Sequence, residues 1–418
     1  MKTKVIQVFE YEILFIDELY DNVRFEKHHY VALSKLNILH NDKYFETRHN
    51  GIRFKQFIGV IQVDGLTIEI LPKIDRYETE NAENKTKWQK VLIEMLRVTR
   101  KLKIQQVGQA HVSRQSIHLL DIYFEWFLNE VQLLIHQGLI KQYYKQTGNV
   151  KALKGKLDFA GHINKNLVHK ERFYTTHQVY EKDHLIHHIL GQALDIIEHL
   201  SKGTYLYSKC KTVQLDFPEV KEIRANESTF SKVPKSRKTA PYDTALSIAR
   251  LIILNYAPNI SSGSENMLAL LFDMNSLWEE YVLLRLKQAS QESLEHIEVY
   301  GQNSKAFWNS ITIRPDIVLK KKIIGEEDKI LIIDTKWKNI DQSKPSTHDL
   351  RQMYVYNEYW NSTKSLLLYP SHESGHSFFS FEKIKEIEHH QCGLGKITVL
   401  NSESKLDETI GTQLLSLL

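Results

Sequence analysis

Hydrophobic and polar positions change their period twice along the chain. Residues 1 to about 80 read as strand-rich: Lys4 to Ile16, Val31 to Leu39 and Ile52 to Leu71 carry mixed alternation broken by turn residues, the pattern of half-buried strands. Phe54 to Ile74 is the clearest hairpin, with Val60 to Val63 and Leu66 to Ile70 as arms and Asp64-Gly65 as a two-residue turn. Asp75 to Lys87 is polar and charged and reads as a linker. From about Trp88 to Leu200 the spacing turns helical. Val91, Leu92, Met95 and Leu96 share one face, and Ser116 to Leu139 carries a long apolar stripe closed by Gly138. Gly155 and Gly161 break the pattern, and Asp183 to Leu200 resumes it. Pro218 to Tyr242 is irregular and basic, and Tyr242 to Tyr256 is helical again.

The last stretch begins near Ser264. Met274 to Leu286 places Met274, Leu277, Trp278, Tyr281 and Leu284 on one helical stripe. A strand starts at Ile297, and two more segments, Ile311 to Leu319 and Ile330 to Trp337, flank a polar connection containing Gly325. Pro345 precedes a helix whose N-cap is Ser346 or Thr347. Ser365 to Tyr369, Ser377 to Phe381 and Lys396 to Leu400 are further strands, and the terminal Leu-Leu-Ser-Leu-Leu closes a helix onto the core. The predicted class is α+β, mixed. It comprises an N-terminal β-rich domain (1–80), a helical middle domain (81–262) with a basic loop (218–242), and a C-terminal domain (263–418) whose mixed central sheet is flanked by helices.

The 418 residues are 42% hydrophobic, enough for two or three cores. A net charge of +4 permits nucleic-acid binding without arguing for it, so any basic surface is local. Lys221, Arg224, Lys232, Lys235, Arg237 and Lys238 supply one, which reads equally as a phosphate-tracking segment or a solvated loop. Cys210 and Cys392 are far apart and form no metal-type pair, which indicates a reducing compartment. No run of 18 apolar residues and no signal peptide at Met1 to Glu10 is present, so the expected location is cytoplasmic, with no membrane partner.

The candidate chemistry lies between Arg314 and Lys338. Asp316 follows Pro315, Asp334 comes eighteen residues on, directly after Ile330, Leu331, Ile332 and Ile333, and Lys336 is two beyond it. Strand alternation points Asp334 and Lys336 to one face. Burying a carboxylate costs several kcal/mol unless it is compensated. A divalent cation held by Asp316 and Asp334, with Lys336 beside it, compensates both and suits phosphodiester hydrolysis. The blander alternative is a surface hairpin with an ordinary Asp334–Lys336 ion pair. Glu279 or Glu280, more so Glu279, is placed to reach the metal from the preceding helix. Asp349, Gln352 and Tyr356 share one face of the helix after Pro345, and Gln352 and Tyr356 offer donors for a phosphate. His184, His187 and His188 lack a carboxylate or cysteine partner at matching spacing and read as a solvated helix face.

The P-D and D-x-K pair resembles the active-site signature of the PD-(D/E)XK nuclease superfamily. Nearly the whole chain is similar to the McrC family, the nuclease subunits of McrBC-type modification-dependent restriction systems. The carrying segments are FIGVIQVDGLTIEILPKI, HLLDIYFEWFLNEVQLLIHQGLIKQYY, ALKGKLDFAGHI, MNSLWEEYV, RPDIVL, IIDTKWK and DLRQMYVY. The resemblance implies that Asp316, Asp334 and Lys336 are the catalytic triplet, that Glu279 is the glutamate of an MNxLFE-like helix, with Trp278 in place of phenylalanine, and that Gln352 and Tyr356 form a Q-x-x-x-Y element. It implies Mg²⁺ (or Mn²⁺) as cofactor, with metal ligands Asp316, Asp334 and Glu279. The implied partners are double-stranded DNA bearing modified cytosine and a McrB-like hexameric AAA+ GTPase, into which the amino-terminal part docks and whose hydrolysis it stimulates. GTP then sits on the motor, since this chain has no G-x-x-x-x-G-K-[ST] stretch. The competing functions are a non-catalytic adaptor that activates an AAA+ motor and a standalone repair nuclease.

Overall fold

The computed structural model describes residues 4–63, 65–74, 81–99, 101, 118–258, 266–323, 325, 327–338, 340, 344–382 and 390–418. The chain folds into two compact units. One comprises Met1–Thr3, Gln62–Gly65 and Gln115–Leu270; the other comprises Lys4–Ile61, Leu66–Arg114 and Leu271–Leu418. Asp64 of the expected turn, residues 75–80 of the expected linker, the helix start at Ser116 and the 262/263 boundary lie outside the described residues. Among the described residues, no helix is long and apolar enough to cross a membrane.

In the first unit the helices Leu119–Gln137, Leu185–Leu200, Tyr205–Asp216 and Asp243–Leu254 pack on one another. Their apolar stripes bury Tyr123, Phe127, Ile189, Ala193 and Ile252 completely. Two nine-residue strands interrupt the helical stretch: Gln142–Val150 runs antiparallel to Phe173–Glu181, with Lys156–Leu157 on the far side of the latter. The three histidines differ from expectation. His187 and His184 are buried rather than solvated, because the helix that starts at Leu185 turns position 187 onto the same stripe as Ile186 and Leu190. His187 is held by the Lys182 carbonyl at 2.6 Å, and burial pushes its imidazole down to about 4, so it is neutral. His188 instead pairs with Asp183 at 2.7 Å. The six cations of the 218–242 segment are exposed.

The second unit carries the candidate chemistry. In its amino-terminal part, Lys4–Phe9 pairs in parallel with Leu66–Leu71, which neighbours Phe57–Val63. The last two strands are buried at every position, as their near-continuous apolar runs require. The one acid among them, Glu69, is satisfied by amide donors from Gln7 at 2.8 Å and Gln89 at 2.7 Å. Val31 to Leu39, expected as a strand, belongs to a helix, Lys27–Leu39. The residues it buries are His29, Ala32, Leu33, Leu36 and Asn37, a 3.6-residue spacing that includes two polar side chains, while apolar Val31 and Ile38 face out. Asn37 tolerates burial because its amide donates to the Phe45 carbonyl and to Asp42, both at 2.8 Å.

The carboxyl-terminal part is a six-stranded mixed sheet. Its order is Ile297–Gly301, Ile317–Lys321, Lys329–Thr335, Lys364–Ser371, Gln391–Thr398, Gly375–Ser380. The first two pairings and the last are antiparallel, and the two central ones are parallel. Parallel neighbours need a crossover, supplied between Lys329–Thr335 and Lys364–Ser371 by the helix Thr347–Trp360. Ser346 is its N-cap, accepting from the Asp349 N–H at 3.0 Å. Met353, Tyr356 and Trp360 on this helix pack against Val318, Ile332 and Leu367 of the sheet. Ile317, Leu319, Leu331, Ile333, Leu366 and Leu368 are buried too, so both sheet faces are covered. The helix Met274–Glu292 is capped by the Asp273 carboxylate, which accepts from the Ser276 N–H at 3.1 Å.

Candidate active site

The register of the sheet brings the two aspartates together. Ile317 pairs with Ile333 at the end of the antiparallel ladder. One step beyond this last pair come Asp316 and Asp334, near enough that the charge of Asp316 raises the Asp334 carboxyl. Pro315 begins this departure from the ladder without leaving an unpaired N–H behind it. Asp316 is fixed by its neighbour's backbone: the Thr335 N–H and hydroxyl both donate to its Oδ2, at 2.7 and 3.0 Å. Asp334 is 2% exposed. Its Oδ2 lies 2.6 Å from the Lys336 ammonium, a charge-assisted contact that lowers the carboxyl's pKa against its burial.

The electrostatics are those of crowded acids. Burial and the charge of Asp316 push the Asp334 carboxyl up to about 6. Burial and the Glu279 charge raise Asp316. Burial works against the Lys336 ammonium, but the Asp334 and Asp316 charges outweigh it and hold its pKa above the ordinary lysine value. Lysine stays charged while both carboxyls are drawn toward neutrality, so the site has a deficit of positive charge.

Glu279 joins this field, its carboxyl raised by burial and fixed by a 2.8 Å hydrogen bond from the Gln302 amide. Glu280, the alternative, is ion-paired with Lys101 instead. Gln352 and Tyr356 meet as their spacing predicts, with the Gln352 amide donating to the Tyr356 hydroxyl at 2.7 Å. That hydroxyl in turn donates to the Arg314 carbonyl at 2.9 Å. Tyr356 thus fastens the turn that presents Asp316 and is not a free phosphate donor. Asp349 accepts from Lys338 at 3.3 Å.

One set of supporting residues was not visible in the sequence. The Trp337 N–H donates to the Asn275 side chain at 3.2 Å, and its indole donates to Glu10 at 2.7 Å. The Trp337 and Trp278 rings meet edge to face at 5.4 Å. Glu10 is 1% exposed, has one oxygen without a partner, and is raised by burial to about 7. The residue after Lys336 is therefore clamped from the first strand and from the start of the Met274–Glu292 helix. The only sequence signal was an acid in an otherwise apolar strand end, Val8-Phe9-Glu10.

Among the described residues, no group of three or more histidine, cysteine, aspartate and glutamate side chains is arranged to hold a metal ion. Mg²⁺ does not demand such a cage, since one or two carboxylates, waters and substrate phosphate oxygens suffice. Buried Asp334, with Asp316 beside it, fits that requirement, and a divalent cation there would offset the acidic charges that raise the two carboxyls, Asp316 acting on Asp334 and Glu279 on Asp316.

A family model described as McrBC 5-methylcytosine restriction system component matches residues 52–370. The Type IV methyl-directed restriction enzyme EcoKMcrBC of Escherichia coli (strain K12) is 23% identical over 288 residues, 64% of this chain and 81% of that protein. Among solved structures, a chain of the half-complex of Thermococcus gammatolerans McrB AAA+ hexamers with bound McrC, from a tetradecameric assembly, is similar over 99% of this chain and 100% of its own, with a TM-score of 0.71 at 17% identity. A chain of the Thermococcus gammatolerans McrBC complex gives 0.50 at 19% identity, over 68% of this chain and 88% of its own. At these identities the structural likeness concerns the fold. The family match spans about three quarters of the sequence, and the chain belongs to the McrBC 5-methylcytosine restriction system component family.

Proposed function

We propose that the chain is the Mg²⁺-dependent endonuclease subunit of a McrBC-like restriction system, cutting modified DNA together with a McrB-like AAA+ GTPase and stimulating its hydrolysis. The observation that carries this is the meeting of Asp316 and Asp334 just past the end of their paired strands, with Lys336 2.6 Å from the second. We read this as a PD-(D/E)XK centre. Asp316 and Asp334 would hold the cation, with Glu279 within its field. When bound, Mg²⁺ supplies Lewis-acid activation of the phosphodiester and of the attacking water. Lys336 keeps its proton because of its two acidic neighbours, and so offers a fixed positive charge where negative charge develops in the transition state. Thr335 and Tyr356 hold Asp316 and its turn in place, so the carboxylates need no rearrangement when substrate arrives.

The partner reading follows from the relatives. The Thermococcus assembly is described as McrB AAA+ hexamers with bound McrC, and we assign this chain the McrC role. The amino-terminal strands are our docking candidate. A second candidate is Phe159, Ile163, Leu167 and Val168 of the first unit, each at least 62% exposed within ten residues.

The test is cleavage of long methylated duplex by this chain with its AAA+ partner, GTP and Mg²⁺. Wild type should cut, and Asp334→Ala should not, while still stimulating GTP hydrolysis. Cutting by Asp334→Ala would refute the assignment.

A further inference from the structure

We infer that the hairpin preceding Asp316 is a nucleic-acid-reading ribbon, which enters a groove of the substrate duplex and sets Trp308 against its bases. Lys305–Trp308 and Ile311–Ile313 pair antiparallel, with a bulge between Ala306 and Trp308 and Asn309 at φ +52° in the turn. The two strands form a sheet of their own. Such an isolated ribbon is marginal in water, and this one turns its large apolar side chains outward: Trp308 is 69% exposed, Ile311 52% and Phe307 44%. Three such groups on one short hairpin, rather than scattered singly, mark a surface that contacts something.

Two observations say what. The first is composition. From Gly301 to Pro315 there is no aspartate or glutamate, although 51 acids in 418 residues would place about two in fifteen. The charges present are Lys305 and Arg314, set among Gln302, Asn303, Asn309 and Ser310. Cations, amides and hydroxyls around an aromatic, with no carboxylate, match a phosphate backbone and base edges. The second is placement. The ribbon is fixed to the helix that carries Gln352 and Tyr356: Lys305 donates to the Tyr359 carbonyl at 2.7 Å and lies 4.9 Å from the centre of the Trp360 ring, and the Phe307 and Tyr359 rings are 5.5 Å apart. The chain then runs directly through Arg314, whose carbonyl Tyr356 holds, to Asp316. A two-stranded ribbon fits the major groove of a duplex, and aromatic or apolar side chains stack on bases or wedge between them. The choice of DNA as the polymer rests on the nuclease reading; the geometry of the ribbon does not.

The test measures binding rather than cutting. The full chain is titrated into a fluorescein-labelled 30-base-pair duplex in EDTA, followed by anisotropy at two salt concentrations, alongside a duplex carrying 2-aminopurine. Trp308→Ala should weaken binding about five- to 150-fold, the equivalent of about 1–3 kcal/mol per stacked base. The loss should be similar at both salt concentrations, because the missing contact is not ionic. Trp308→Phe should recover most of the affinity, and only wild type and Trp308→Phe should brighten 2-aminopurine. Circular dichroism of each variant checks folding. Unchanged affinity of Trp308→Ala, or no binding by wild type, overturns the inference. A wild-type dimer that Trp308→Ala dissociates in sedimentation, with DNA affinity untouched, also overturns it and makes the ribbon a contact between copies of this chain. Asp334→Asn separates the two proposals. If it binds as wild type does, and Trp308→Ala binds weakly, yet wild type never cuts with its partner, the nuclease reading fails while the ribbon stands.

Discussion

Replacing Asp334 with asparagine should stabilise the second unit in the absence of metal, and most at high pH. The carboxyl is 2% exposed and is raised from 3.8 to about 6 by burial and by Asp316. Ionising it therefore costs the folded unit about 3 kcal/mol more than the unfolded chain, at about 1.4 kcal/mol per pH unit. That figure is net of the attraction to Lys336, which acts in the opposite direction. Because the folded value lies above the unfolded one, the contribution to stability is complete below pH 3.8 and is lost as pH rises through about 6. Asparagine does not ionise, so its advantage should be about 3 kcal/mol at pH 8 and roughly half that at pH 5. Urea denaturation in EDTA, followed by tryptophan fluorescence, reads this out, since five of the six tryptophans lie in the second unit. Mg²⁺ should then stabilise wild type and leave Asp334→Asn unmoved, as a ligand bound to one folded form only must. A variant no more stable than wild type at pH 8, or a gain that does not shrink at pH 5, would refute the reasoning.

Other expectations follow from the same contacts. Trp337→Phe removes the indole donor at 2.7 Å from Glu10, and should cost about 1–3 kcal/mol. Burial raises Glu10 from 4.5 to about 7, and only its charged form depends strongly on that donor, so the loss should be larger at pH 8.5 than at pH 5; equal losses in urea melts would contradict this. Tyr356→Phe frees the Arg314 carbonyl and should lower stability by about 1 kcal/mol, while slowing single-turnover DNA cleavage without changing duplex affinity. Gly155→Ala should destabilise the first unit by more than the roughly 1–2 kcal/mol of a left-handed residue, because at φ +65° its Cβ would also sit 2.5 Å from the Thr176 carbonyl oxygen; a thermal melt matching wild type would show that the strand gives way freely.

The candidate site was legible in the sequence because its logic is local. Acids that border Ile-rich strands, the i, i+2 relation of Asp334 and Lys336, and the i, i+4 relation of Gln352 and Tyr356 all survive folding as contacts. Strand pairing across a short connection then supplies the one non-local step, from Asp316 to Asp334. Elsewhere the local pattern misled. In Lys27–Leu39 the buried stripe includes His29 and Asn37 while Val31 and Ile38 are exposed, so hydropathy marks the wrong positions. The strands Gln142–Val150 and Phe173–Glu181 bury little on either face, and without an apolar alternation they leave no period-two signal. His187 is neutral because burial lowers its pKa, against the pull of the Lys182 carbonyl to which it is hydrogen-bonded. The Glu10–Trp337 clamp joins residues 327 positions apart, a pairing that no periodicity carries.

The claim on which the rest depends is that Asp316 and Asp334 share one divalent cation. Crystals soaked in Mn²⁺, with diffraction recorded at the manganese absorption edge, test it directly. The account predicts one strong anomalous peak within bonding distance of both carboxylates, about 2.0–2.3 Å from each, lost in Asp334→Asn. A peak bound elsewhere on the chain, or none at a Mn²⁺ concentration that supports DNA cleavage, would contradict it.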